Sequence, residues 1–143
     1  MAKFVDVFPD TLETFQRIID AAGLREPVIS VIANNTAKDI TKVTKASDLL
    51  KFRTKDDVVI IVNEKIFEQL PADQQILVAE EAVSFISYDS ENDKVVISQP
   101  DFTAHTGILR KYGFEVVEVL RESVKTLFQA AKDAEEENKN STK

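Results

Sequence analysis

The chain has 143 residues, 43% of them hydrophobic, and 18 Lys and Arg against 25 Asp and Glu give a net charge of −7. This length suffices for one domain with a substantial core and is short for two, while three Gly and four Pro exclude collagen-like and low-complexity classes. With no cysteine there is no disulfide framework and no thiolate-ligated zinc, and a single histidine leaves little imidazole chemistry.

The segment Met1 to Asp6 has no apolar run of signal-peptide length, and no stretch of about eighteen apolar residues follows. The expectation is a soluble cytoplasmic protein with no membrane association. Charge is segregated: residues 56–101 hold eleven Asp or Glu against Lys65 and Lys94, whereas residues 38–55 hold six Lys or Arg against Asp39 and Asp48. Such segregation can steer a basic partner or let neighbouring surfaces attract each other. Nucleic acid is not an expected partner, because it requires a concentrated basic face with aromatic platforms.

In chain order, Asp10 can cap a first helix over about Thr11 to Ala22, with Leu12, Phe15, Ile19 and Ala22 at helical spacing before Gly23. After Pro27, Val28 to Ala33 is short and β-branched and reads as a strand, broken by Asn34-Asn35. Ile40 to Thr44 alternates like an edge strand, and Ser47-Asp48-Leu49-Leu50 reads as a helical turn. Val58 to Val62 is continuously apolar, which predicts a central strand covered on both faces.

Asn63 opens a short helix through Glu64, Ile66, Phe67 and Leu70, and Pro71 with Asp73 starts a longer one over about Ala72 to Ser87. On that longer helix Ile76, Ala79, Ala82, Val83 and Ile86 form one side, and Asp73, Glu80, Glu81, Ser84 and Ser87 the other. Tyr88 to Asp93 reads as a turn and Lys94 to Ser98 as a strand. Asp101 can cap a helix over about Phe102 to Tyr112, stopped by Gly113.

The last helix, from Phe114 to about Ala134, carries Val117, Leu120, Val124, Leu127 and Ala131 at alternating steps of three and four. Such a seam can join two copies of the chain as a homodimer. It spans only about two heptads, short of a sustained coiled coil, so packing on the chain's own sheet is the favoured reading. Residues 1–134 are therefore expected to form one domain, and 135–143, with no apolar residue to bury, a disordered polar tail.

The segment Asp57 to Glu64, followed by Phe67-Glu68-Gln69-Leu70 and Asp73-Gln74-Gln75, resembles the small metallopeptidases common in bacteriophages, which have a minimal zincin-like fold. The resemblance covers about residues 28 to 113 and implies an H-E-x-x-H zinc signature on the long helix. Glu80-Glu81-Ala82-Val83-Ser84 stands there instead. Glu81 matches the general-base glutamate, Glu80 and Ser84 fall in the two histidine slots, and Pro100 or Gln99 falls where a third ligand belongs. Two imidazoles at i and i+4 with an intervening base are what that chemistry requires, so the resemblance implies a degenerate motif with no catalytic zinc and no cofactor.

The expected fold class is therefore α+β: a small mixed β-sheet packed with helices, zincin-like, with a long C-terminal amphipathic helix. Its core is expected from Val28 to Ala33 and Val58 to Val62 against Leu12, Phe15, Ile76, Val83 and the last helix. The favoured function is a non-catalytic binding or regulatory protein, phage-encoded and acting in the host cytoplasm on a protein partner. Glu80, Glu81, Ser84, Val117, Leu120, Val124 and Leu127 are the candidate interaction residues. One alternative is a virion-associated or structural protein that oligomerises through the last helix. Another is a metal-dependent hydrolase using Glu80, Glu81 and either Asp101 or Glu64, whose oxygen ligands suit Mg, Mn or Ca. His105 reads as a surface or capping residue, and Ser84, Ser87 and Ser90 lack a nucleophile elbow.

Overall fold

The computed structural model describes residues 4–24, 27–89, 91–92, 94–97 and 106–141. Strand β1 (Val5–Asp6) leads into helix α1 (Pro9–Ala21), followed by β2 (Ile29–Ala33), β3 (Thr41–Lys45), α2 (Asp48–Thr54) and β4 (Val58–Val62). Then come α3 (Glu64–Phe67), α4 (Ala72–Ser84), β5 (Ile86–Asp89), β6 (Lys94–Ile97), α5 (Thr106–Tyr112) and α6 (Phe114–Ser141). The fold is α+β, with a four-stranded mixed sheet in the order β1-β2-β4-β3 and a separate two-stranded ribbon of β5 and β6.

The apolar run Val58 to Val62 is central in its sheet. It pairs parallel with β2, from Ile29↔Val58 to Ala33↔Val62, and antiparallel with β3, from Thr41↔Val62 to Lys45↔Val58. Val58, Ile60 and Val62 are fully buried on one face and Val59 is buried on the other, as a strand without polar alternation requires. The Asn34 side chain ends β2 by accepting from the Thr36 N–H at 3.1 Å and the Thr36 hydroxyl at 2.9 Å, an Asx turn. Asn63 ends β4 and caps α3, its Oδ1 accepting from the Ile66 N–H at 3.3 Å while its Nδ2 donates to the Ala37 carbonyl at 2.9 Å.

Helix α1 starts at Pro9, with Phe8 as its N-cap residue. Proline at the first turn forgoes no helical hydrogen bond, so Asp10 lies inside the first turn and does not cap it. The buried face is Thr11, Phe15 and Ile19, while Leu12 is 44% exposed and does not join the core. Phe15 instead meets Phe67 of α3 with ring centroids 5.5 Å apart.

Helix α4 differs more from its two-sided pattern. Leu77 and Val78 are buried along with Ala79, Ala82 and Val83, whereas Ile76 is 38% exposed. The helix contacts α1, β3, β5 and α5, and Lys111 of α5 and Arg121 of α6 meet Glu80 and Glu81, so the polar stripe does not mark a solvent side. It ends at Ser84 and not at Ser87. Ile86-Ser87-Tyr88-Asp89 leaves as a strand, because β-branched and aromatic residues there pair with β6 at Ile86↔Ile97 and Tyr88↔Val95. Asp89 organises the tip of this hairpin by accepting from the Glu91 N–H and the Asn92 side-chain amide.

Gly113, at φ 86°, separates α5 from α6 in the left-handed conformation that suits glycine. The seam of α6 faces inward: Val117 and Leu120 are buried in the core, and Val124 and Leu127 pack half-buried against it. The contacts are with α5 and α3 more than with the sheet. The helix runs on past Ala134 to Ser141, so residues 135–141 of the expected tail continue as helix. Ala130, Ala131, Lys132, Ala134 and Glu135 to Glu137 are strong helix formers, and the Gln129 side chain bonds Asp133 one turn on. Among the described residues, no helix is long and apolar enough to cross a membrane.

One polar junction ties the strand starts together. Asp57 accepts from the Val28 N–H at 2.8 Å and from Lys51 Nζ at 2.9 Å. Burial pushes its carboxyl up, but the Val28 N–H and the Lys51 ammonium outweigh this and hold it below the usual carboxylate value. A depressed native pKa stabilises the fold above the unfolded value of about 4, and the contribution is lost as pH falls through the lowered native value. Asp57→Asn keeps an acceptor for Val28 and removes the charge pair. The expected cost is about 1 kcal/mol at pH 7, read from urea midpoints. The wild-type advantage is expected to shrink as pH falls below about 4.

Candidate functional site

The resemblance places the site on the second half of α4, and there the structure brings Glu80, Glu81 and Ser84 into defined surroundings. Glu80 Oε1 accepts from Lys111 Nζ of α5 at 2.8 Å, with the Glu80 side chain 14% exposed. Glu81 receives a two-pronged contact from Arg121 of α6, Nη1 to Oε2 at 2.8 Å and Nη2 to Oε1 at 2.7 Å, with the Glu81 side chain 13% exposed. Parallel N–H bonds to both carboxylate oxygens form the strongest and most directional carboxylate pairing available to a side chain. Ser84 turns its hydroxyl back along the helix and donates to the Glu80 carbonyl at 2.7 Å.

Lys111 also lies 5.2 Å from the centroid of the Tyr112 ring. The Glu80 carboxylate, accepting its hydrogen bond, raises the Lys111 ammonium above its ordinary value. Burial, aided by the same carboxylate, raises the Tyr112 phenol. Lys111 and Tyr112 therefore keep their neutral-pH charge states, and neither is poised to exchange a proton near pH 7.

Glu80 and Ser84 line a cavity of about 370 Å³ between the end of α1, α4 and α5, together with Ile18, Val83, Ile108 and Lys111. Its walls mix apolar and polar surface, and its charge is one internal ion pair. Where a metal would need several converging donors, a lysine ammonium faces Glu80 and an arginine engages Glu81. Among the described residues, no group of three or more His, Asp or Glu is placed to hold a metal ion.

The remaining sequence candidates lie apart. Glu64, the proposed distant ligand, is 3% exposed at the start of α3, where its Oε2 accepts from the Phe8 N–H at 2.8 Å and ties the entry of α1 to α3. Val117 and Leu120 are interior, as described above. Pro100, Gln99, Asp101 and His105 lie outside the described residues. Lys111 and Arg121, the residues that decide what the two glutamates can do, were not legible as site residues: they are 31 and 40 positions from their partners, and no local spacing announces such a pair. No family model, curated protein or solved structure matches this chain.

Proposed function

We propose that this chain is a non-catalytic binding or regulatory protein on a scaffold related to the small phage metallopeptidases, acting on a protein partner in the host cytoplasm. The observation that carries this reading is the occupation of Glu81. A general base must aim a free lone pair at water or substrate, and here the Arg121 guanidinium takes one lone pair on each carboxylate oxygen and covers that side of the group. Glu80 is likewise neutralised by Lys111, and Ser84 spends its proton on the backbone. The motif helix thus serves as a clasp joining α4 to α5 and α6, and the scaffold is left to present surfaces.

Metal analysis of the purified protein, combined with thermal melts in zinc, manganese or EDTA, tests the reading. The expected result is no stoichiometric metal and an unchanged melting temperature in all three. A metal that binds the native state raises the melting temperature with concentration. Stoichiometric metal with such a rise would sink the proposal in favour of a carboxylate-ligated hydrolase.

A further inference from the structure

The outer side of α6 carries a groove that no other part of the described chain fills. One section, about 550 Å³, runs between α6 and the turn Gln69-Leu70-Pro71, and another, about 350 Å³, lies between α6 and the start of α4. They share Val119, which is 56% exposed, and one turn before it Val116, which lines the second section, is 45% exposed. The rim is charged with one sign: Asp73, Glu115, Glu118 and Glu122 line it, and no Lys or Arg is among the lining residues. Gln74 lines the second section, and its Oε1 is buried with no hydrogen-bond partner among the described residues. An unsatisfied buried acceptor is costly and is rare in native structures. An apolar floor and an acidic rim specify a guest with apolar anchors and positive flanks.

The same chain carries a segment of that description. Helix α2 holds Leu49 and Phe52 at i and i+3, on one face, and they are 74% and 80% exposed, the most exposed large apolar residues described. They belong to the basic stretch 38–55, which has six Lys or Arg against two Asp. A seven-residue helix is about 10 Å long, and the groove follows α6 from Val116 to Leu127, about 16 Å. We infer that α2 of one copy of this chain docks, Leu49 and Phe52 first, into the α4–α6 groove of a second copy. The two surfaces are different patches, so the contact is heterologous and propagates head to tail, closing into a ring only where its rotation allows. The proposal concerns a different face from the Glu80 and Glu81 clasp and stands or falls independently of the metal-free reading.

The deciding experiment is sedimentation of the full chain over a dilution series, alone and as mixed variants. Wild type is expected to gain mass with concentration, and to lose it on adding salt, because the paired surfaces carry opposite charge. Phe52→Glu destroys the knob and Val119→Arg blocks the groove. Each alone is expected to weaken association on the order of 30-fold or more, as for a central apolar anchor. Both positions are exposed, and unchanged melting curves verify the fold. Mixed together, the two variants retain one intact knob and one intact groove, so they are expected to form a 1:1 heterodimer that grows no further. Wild type that stays monomeric throughout overturns the proposal and leaves the groove to a basic segment of another protein. Variants that associate like wild type, or a mixture that yields no heterodimer, overturn it as well.

Discussion

Replacing Leu120 by glutamate is expected to unfold the protein, not merely to separate two copies of it. Leu120 is fully buried, next to Val117 at 2% exposure, in the cluster shared with Leu77, Val78 and Ile108. Leu120→Ala alone should cost about 2–5 kcal/mol through lost burial and the cavity left behind. A carboxylate at the same point adds the cost of a charge with no partner, several kcal/mol even after relaxation. Against a total stability of about 5–15 kcal/mol, the sum leaves little folded protein. Urea unfolding followed by circular dichroism is expected to show a strongly lowered midpoint for Leu120→Ala and no cooperative transition for Leu120→Glu. Full native stability in Leu120→Glu would mean that the seam of α6 faces outward and that its apolar stripe is free for a partner.

The same residue shows where sequence pattern was informative and where it was blind. The three-and-four spacing of Val117, Leu120, Val124 and Leu127 correctly predicts a helix with one apolar face, but spacing does not distinguish an internal partner from an external one. The β-branched runs at Ile29–Ala33 and Val58–Val62, the Asn63 cap and the Gly113 break were legible because each depends on a few adjacent residues. Strand β1 was not legible, since two residues held by pairing Val5↔Ala33 and Asp6↔Ile32 leave no pattern of their own. Helix α4 was misread at its end and on its faces for one cause. It is covered on several sides, so apolar residues occupy most of its circumference and the division into wet and dry faces fails.

The candidate site was legible only as a set of positions. That Glu80 and Glu81 share a helix with Ser84 follows from sequence. That both are held by cations depends on how α5 and α6 cross α4, a tertiary outcome no local spacing encodes. The groove on α6 has a similar history: its acid residues sit in α4 and in the first half of α6, apart in sequence and joined only by the packing of the two helices.

The other large effect is expected from Phe15. Its side chain is fully buried and its ring meets that of Phe67, which is 1% exposed, at 5.5 Å with planes tilted by 38°. This contact joins α1 to α3, and α3 is a four-residue helix that has little intrinsic stability of its own. Phe15→Ala removes the ring burial, opens a cavity in the core and forfeits the aromatic pairing, for a cost of about 3–5 kcal/mol. For a chain of this size that corresponds to a fall in melting temperature of roughly 10–20 °C. Phe15→Leu keeps most of the volume and is expected to lose well under half as much. Because α3 is also anchored by the Glu64 bond to the Phe8 N–H, its local opening should rise with global instability: amide exchange at Ile66 and Phe67 is expected to accelerate at least as much as that of β4 in Phe15→Ala. Protection of α3 that survives the substitution unchanged would show that Asn63 and Glu64 hold it without the aromatic contact.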